Sequence, residues 1–498
     1  MRLLKKVTAF VKAAKKTSRK VKKQCSFKNM DEAIMAGIIM ASSFLRYSIL
    51  TIALLTMTMV IANTVLFNFT VICMKPEQRG DPVELNETRY YSSNEEGWII
   101  SMTSFGNIIG TLPAIYITDH FGLRLSYTMF GLISGISTMF YPMAAADIYF
   151  VMLVRLAQGF GMACAFLTLG IVPMEYGGEK GKRFFVTVLT CSYQLGPFST
   201  MPISAAFCES TVGWSGVYYL FGIVTIVLFV LFGVVYGDWT EEKELTSSTT
   251  TVPLKIEDGS QSKDGDKPVQ SKEIVPYRSI FTTPSTWGIL TSGFGDSLGY
   301  FVFYLYGPIY LHKVLDFEVE QTGVFAAVPY VVSMGTKLLG VMFLYSKSFM
   351  TEKWRIMILT VSSQAAMSIN FVILTLLSAD MRMWAEVIYI SQVALSGLHF
   401  VGMITAAQIV SHKYTHIISS AIAAQESAIG LLFPPIVSMM APNHKASEWA
   451  MVFYYIVGVL VLTNISFVVL TKIKPAVWAG EDQGEESAEV GEKPVRKV

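Results

Sequence analysis

Residues 246–273 read TSSTTTVPLKIEDGSQSKDGDKPVQSKE, and residues 217–236, shortly before them, read VYYLFGIVTIVLFVLFGVVY. The second run is apolar on all sides and has the roughly 20 residues a helix needs to cross a bilayer. The first cannot bury an apolar face and reads as a disordered connection. The same alternation repeats outward from this pair. Six apolar spans precede the polar stretch, at 46–74, 98–118, 125–145, 148–173, 184–207 and 217–236. Six follow it, at 288–311, 323–345, 356–377, 387–410, 417–440 and 450–470. The chain therefore divides into a basic N-terminal segment (1–45), a six-span half (46–236), a linker (237–287), a second six-span half (288–471) and a polar tail (472–498).

Composition agrees. Of 498 residues, 52% are hydrophobic and 15% charged, against about 25% charged in soluble domains. That excludes a soluble enzyme, a disordered regulator and a disulfide-stapled secreted protein. Cys25, Cys73, Cys164, Cys191 and Cys208 form no CxxC pair and no His/Cys spacing, so no metal and no cofactor is expected. Cys73 and Cys208 both approach the outer ends of spans, and spacing alone does not pair them. No secretory apolar region precedes span 1, so the N-terminus is expected to be retained.

Topology follows from Lys and Arg. With the N-terminus inside, the short inner connections hold Arg124, Lys180, Lys182, Arg183, Lys347, Lys353, Arg355 and Lys413, whereas the short outer ones hold Lys313, Arg382 and Lys445. An even number of spans then places both termini in the cytoplasm. The large outer loop carries the sequon Asn86-Glu87-Thr88, which predicts glycosylation at Asn86. The segment before Asp31 has basic charges and no acid, with Leu3, Val7 and Ala14 on one helical face. It suits an anionic inner leaflet.

Six spans, a polar linker and six more spans are the layout of the major facilitator fold. That is an all-α polytopic membrane protein in which 12 transmembrane helices form two six-helix halves around a midplane site. A channel or an intramembrane enzyme is the rival with the same count. At the inner end of span 2, Asp119-His120-Phe121-Gly122-Leu123-Arg124 suits a gate: Gly122 permits a tight turn, and Asp119 can face a basic side chain or a helix N-terminus. In span 4, Arg155, Gln158 and Met162 share a face, with Gly159 and Gly161 allowing a close neighbour. An arginine inside a span should face a cavity or a partner; the alternative is a structural pair near the outer end.

Further stretches resemble solute carrier family 17, which holds sodium/phosphate cotransporters, sialin and vesicular glutamate transporters. They are Gln194-Leu195-Gly196-Pro197, Met201-Pro202-Ile203-Ser204, the run Gly213–Gly222 (GWSGVYYLFG), Val154–Gly159 (VRLAQG), Val275–Ile280 (VPYRSI) and Ala327-Val328-Pro329-Tyr330. The resemblance spans about 46–470 and implies transport of a small organic anion or inorganic phosphate, coupled to sodium or protons. It also implies departures. Leu66, Met162, Asp296 and Ile100 stand where members of the family often carry an arginine, a glutamate, an arginine and a histidine. Ile115 replaces the first glycine of the gate signature, and Leu344-Tyr345-Ser346-Lys347 lacks its acid. Arg155 is the charge retained, so glutamate as substrate is not expected.

The remaining polar residues inside spans complete the expected site. Asn63, Asn68, Tyr300 and His399 join Arg155 and Gln158 as solute contacts, and Asp296, Glu426 and Lys337 are expected to carry ion or proton coupling, because charges in lipid are expensive. For Asn63 and Asn68 the alternative is an interhelical hydrogen bond; for the acids it is a packing pair with Lys337. Tyr300 and Tyr304 are four apart and serve packing in the plainer reading. The expected function is secondary active transport by alternating access, in a plasma, vesicle or lysosome membrane. A transporter-like receptor or scaffold that binds solute without moving it is the alternative, motivated by the missing charges.

Overall fold

The computed structural model describes residues 28–74, 90–237, 276–346, 350–377 and 381–479. The basic N-terminus before Lys28, the Asn86 sequon, most of the linker and the tail after Ala479 lie outside the described residues. Among those described, every regular element is helical, as the apolar runs demand: a helix closes its backbone hydrogen bonds within itself, so it can stand in lipid. We number the helices α1 (Lys28–Thr70), α2 (Ser93–Ala144), α3 (Ile148–Met162), α4 (Ala165–Tyr176), α5 (Gly178–Thr190), α6 (Ser192–Glu209) and α7 (Trp214–Val235). A short α8 (Tyr277–Thr282) leads into α9 (Pro284–Ile309), α10 (Val319–Tyr345), α11 (Glu352–Leu376), α12 (Arg382–Ser411), α13 (Thr415–Met440) and α14 (Ala446–Leu470).

Nine helical stretches among the described residues are long and apolar enough to cross a membrane. One of them, Ser93–Ala144, is spans 2 and 3 read as a single element. It is broken at Gly122, whose φ of 79° and ψ of 165° are not helical. An L side chain is strained at such an angle, so glycine is what lets the chain reverse here. Thr118 Oγ1 donates to Ser126 Oγ at 2.7 Å across the turn, which holds the two arms together. Spans 5 and 7 are helical too, but Ser192–Glu209 and Pro284–Ile309 carry more polar residues and are not among the nine.

Several boundaries differ from the sequence reading. Span 1 ends at Thr70, not Met74, because Val71–Cys73 form a turn and Cys73 is joined to Cys208 by a disulfide with Cα atoms 6.0 Å apart. Span 4 is interrupted between α3 and α4, where the Cys164 sulfur sits 3.3 Å from Ser126 Oγ. Span 5 begins six residues early, at Gly178, and is interrupted at Cys191. Span 7 begins at Pro284, since proline is preset for a first helical turn and needs no N–H there. Span 10 begins at Arg382, which draws Glu386 into the helix.

Contacts divide the chain into two compact units. The first comprises Met1–Thr246, Tyr304–Val331 and Gly430–Glu448; the second comprises Ser247–Phe303, Val332–Ile429 and Trp449–Val498. Each has its own apolar core. In the first, Met57, Val60, Tyr127, Phe130 and Phe229 are buried together. In the second, Ile289, Ile356, Met403, Ala407 and Phe467 are.

Candidate functional site

In the first unit, span 4 delivers a cation into the core. Asp147 starts α3 by accepting the Tyr149 N–H at 2.8 Å, an N-cap. Arg155 lies seven residues beyond Ile148, roughly 10 Å along the axis at the helical rise. Beside it α2 and α3 meet backbone to backbone. A Cβ on Gly159 would sit 1.8 Å from the Thr103 carbonyl oxygen, and one on Gly106 2.0 Å from that of Leu156. Only glycine permits this approach, and it sets the guanidinium against α2.

Arg155 is completely buried. Its Nε donates to the Ile99 carbonyl at 3.3 Å, Nη1 to Gln158 Oε1 at 2.9 Å, and Nη2 to the Thr64 carbonyl at 2.9 Å and Thr103 Oγ1 at 3.3 Å. Gln158 is held in turn, its Nε2 donating to Thr138 Oγ1 at 3.0 Å. The guanidinium carbon stands 5.4 Å from the Phe67 ring centroid, and the phenols of Tyr218 and Tyr141 are its electrostatic neighbours. Those two rings stack at 4.3 Å. Every acceptor is neutral, and among the described residues no carboxylate is within ion-pair distance of Arg155. A buried cation lacking a counter-charge costs several kcal/mol.

The two asparagines of α1 differ. Asn63, fully buried, donates through Nδ2 to Ser134 Oγ and Thr225 Oγ1, each at 3.1 Å, so it ties α1 to α2 and α7. Asn68 is buried, with Nδ2 3.5 Å from the Tyr304 carbonyl and no hydrogen-bond partner for Oδ1.

In the second unit the structure brings His399 to Asp296 rather than leaving it alone on its helix face. His399 Nδ1 is 3.5 Å from Asp296 Oδ2, and its Nε2 is 2.9 Å from Ser292 Oγ. Ser292 reaches Gln364 Oε1 at 3.3 Å, and Gln364 Nε2 donates to Thr463 Oγ1 at 2.9 Å. Glu426 is an electrostatic neighbour of both Asp296 and Lys337. The Lys337 ammonium stands 5.4 Å from the centroid of Phe400. Tyr300 is half-buried, with its ring 6.1 Å from that of Phe301.

At the turn after span 2, Arg124 Nε donates to the Gly233 carbonyl of α7 at 2.7 Å. Asp119 is exposed, with no described basic side chain within ion-pair distance. At the opposite end of span 2 lies a cluster that the sequence reading did not assemble. Glu96, buried, accepts from Lys313 Nζ at 3.1 Å and lies 3.2 Å from His444 Nε2. Lys313 follows α9 and His444 lies between α13 and α14, so three distant segments of the first unit meet on one carboxylate. Ser92 caps α2 and Glu95 returns the bond. That capping box is legible as Ser-x-x-Glu and marks Glu96 as inside the first turn. Glu386 was also missed. It is buried on α12, with neither carboxylate oxygen hydrogen-bonded.

The model of the Major Facilitator Superfamily matches residues 37–434. Sialin from Ovis aries is 23% identical over 401 residues, covering 79% of this chain and 78% of its own. Sodium-dependent phosphate transport protein 1 from Mus musculus is 21% identical over 440 residues, covering 84% and 92%. Among solved structures, the D-xylose-proton symporter superposes with a TM-score of 0.63 at 15% identity, over 86% of this chain and 99% of that one, which supports the fold alone.

Proposed function

The chain belongs to the Major Facilitator Superfamily, and from that premise we propose that it moves a small organic anion or inorganic phosphate by alternating access, driven by an ion gradient or the membrane potential. It is an integral membrane transporter, and its relatives are transporters rather than enzymes. Arg155 carries the proposal. It is a buried guanidinium fixed by neutral acceptors alone, and its planar fork matches a carboxylate or phosphate. Gln158 and Thr103 orient it. An arriving anion supplies the counter-charge the buried guanidinium lacks, so binding exchanges a desolvation cost for a charge-assisted hydrogen bond. Asn68, with a free Oδ1 among the described residues, offers a neutral contact nearby on α1. Coupling is assigned to Asp296, Glu426 and Lys337 in the second unit.

Two gates complete the reading. The inner one is the turn of Asp119, Gly122 and Arg124. The outer one is Glu96 with Lys313 and His444, a cluster whose members must separate for α2, α9 and α13 to part. Both termini face the cytoplasm, and the membrane is the plasma membrane or that of a vesicle or lysosome. The test is uptake by proteoliposomes of the full chain, using inorganic phosphate and a panel of mono- and dicarboxylates against cationic solutes. Saturable anion uptake that disappears in Arg155→Gln supports the reading. Uptake of cations that tolerates Arg155→Gln but not Asp296→Asn would overturn it. Specific binding without uptake would make the protein a receptor instead.

A further inference from the structure

The chain that leaves α14 turns back across the second unit instead of departing from it. Thr471, Ile473 and Ala479 are buried. Ile473 belongs to that unit's apolar core, and Ala476 and Trp478 pack against it. Three sets of contacts hold this strap. At its start, Lys472 N donates to Ser285 Oγ at 3.0 Å, and a Cβ on Gly288 would stand 2.2 Å from Thr471 Oγ1, so the strap lies directly on the first turns of α9. In its middle, Ala476 N donates to the Val410 carbonyl, near the end of α12, at 3.0 Å. At its end, Trp478 Nε1 donates to Thr283 Oγ1 at 2.7 Å. That hydroxyl gives its own proton to the Ser279 carbonyl of α8, also at 2.7 Å. The Trp478 ring centroid is 6.0 Å from that of Tyr414. The strap thus joins the start of α9 to the turn between α12 and α13, all within the second unit.

That turn is strained. His412 has φ of 39° and ψ of −110°, a conformation that residues with a Cβ rarely adopt. Its side chain is exposed, so packing of the imidazole does not offset the cost. Ser411 and Thr415 bond to each other across it at 3.1 Å, and the strap grips it on either side, at Val410 and at Tyr414. We propose that the strap and this turn form one latch with two states. In the docked state the strap holds the turn strained; in the released state it lifts from α9 and α12 and the turn relaxes. The latch is a brake. An interaction made in one conformation only favours that conformation, so a docked strap keeps these helix ends as they are and slows any cycle that moves them. The braking rests on the alternating-access reading above; the two states do not.

The experiment reads docking without solute. Ala479→Cys places a thiol where the chain is 2% exposed, in purified full-length protein whose Cys25, Cys164 and Cys191 are replaced by serine. Its rate of reaction with a maleimide reports the released fraction. Trp478→Phe keeps a ring but loses the indole N–H, and should react about fivefold faster, the effect of losing one net hydrogen bond. Thr283→Val removes the acceptor and should do the same, and the two together should do little more than either alone, because they share one bond. His412→Gly should act in the opposite direction. Glycine accepts a positive φ without strain, so docking is favoured and the thiol should react several-fold more slowly. This position is exposed, so the variant keeps the test decisive even where a strap substitution misfolds. Equal rates in parent and variants, or faster reaction in His412→Gly, would overturn the latch. So would a parent thiol at 479 as reactive as one placed at Val477, which is 99% exposed. In proteoliposomes, Trp478→Phe and Thr283→Val should raise the initial rate of anion exchange and His412→Gly should lower it; exchange that does not follow the labelling rates would overturn the brake. If the unaltered protein moves none of the anions, the anion reading fails while the labelling rates still decide the latch.

Discussion

Arg155 shows how far a single residue can be read from sequence. Its presence within an apolar span was visible, and so was its spacing from Gln158, which the structure turns into a 2.9 Å hydrogen bond. The partners on α1 and α2 were not visible, because two of them are backbone carbonyls, of Thr64 and Ile99, and a carbonyl has no sequence signature. Arg155→Lys should lower anion transport by roughly tenfold or more, since charge-assisted hydrogen bonds contribute about 1.5–3 kcal/mol and an ammonium cannot serve this many directions. Arg155→Gln should abolish transport while the protein still reaches the membrane. Initial rates normalised to surface protein measure both, and equal rates for lysine and arginine would mean that charge alone matters. Asn63 is the contrasting case. Its amide ties Ser134 to Thr225, so Asn63→Leu should cost about 1–3 kcal/mol of stability by orphaning the buried Ser134 hydroxyl, while Thr225 keeps its bond to the Phe221 carbonyl. Its apparent affinity for solute should be unchanged, as a thermal-shift assay beside uptake kinetics would show.

At the scale of helices, periodicity gave the spans but not their ends or which charge turns inward. Glu95 and Glu96 are adjacent acids at the start of α2 and look alike in sequence. The first is half-buried and completes the cap of Ser92, whereas the second is buried against Lys313 and His444. Only the rotation of α2, fixed by its packing through Gly106, separates them. His444 also adopts a left-handed backbone, with φ of 50°, a conformation costing about 1–3 kcal/mol in a residue with a Cβ. The contact with Glu96 offsets that cost, so the loop is held only while the cluster is intact. Glu96→Gln should loosen the outer ends of α2 and α9. A single cysteine introduced at Ser93 should then react faster with an impermeant thiol reagent than in the unaltered background. Unchanged labelling would make the cluster a static pair. At the break in the same helix, Asp119→Asn should reduce turnover more than binding, as the inner gate proposed there requires: a gate acts on exchange between conformations and not on the anion contact proposed for Arg155.

The whole molecule is where sequence and packing part company in an instructive way. The polar linker and the runs on either side of it announce two six-span halves, yet Tyr304–Val331 and Gly430–Glu448 belong to the same compact unit as Met1–Thr246. A transporter working by the proposed alternating access must be compatible with more than one packing of the same helices, so on that proposal the sequence specifies the helices and leaves the arrangement open. The disulfide was similarly beyond spacing: Cys73 and Cys208 are 135 residues apart, and only the fold brings the end of α1 to the end of α6. It bears on the topology through redox environment. Disulfides persist where the environment is oxidising, so the face carrying this one should be extracellular or lumenal, on the side opposite the Arg124 turn. That is the side expected from the excess of Lys and Arg assigned to the cytoplasm, and the sequon Asn86-Glu87-Thr88 follows Cys73 in sequence. In intact cells displaying the protein at the surface, an impermeant reductant followed by an impermeant maleimide should label it from outside. The signal should vanish in the Cys73→Ser, Cys208→Ser double variant. Cys164 is buried and should not contribute, and Asn86→Gln should remove a glycosidase-sensitive mass shift in the same cells. Tags at either terminus should be reached by antibody only after permeabilisation. Labelling of the two cysteines that requires permeabilisation, with termini accessible from outside, would invert the topology and place the Asp119 turn on the outer face.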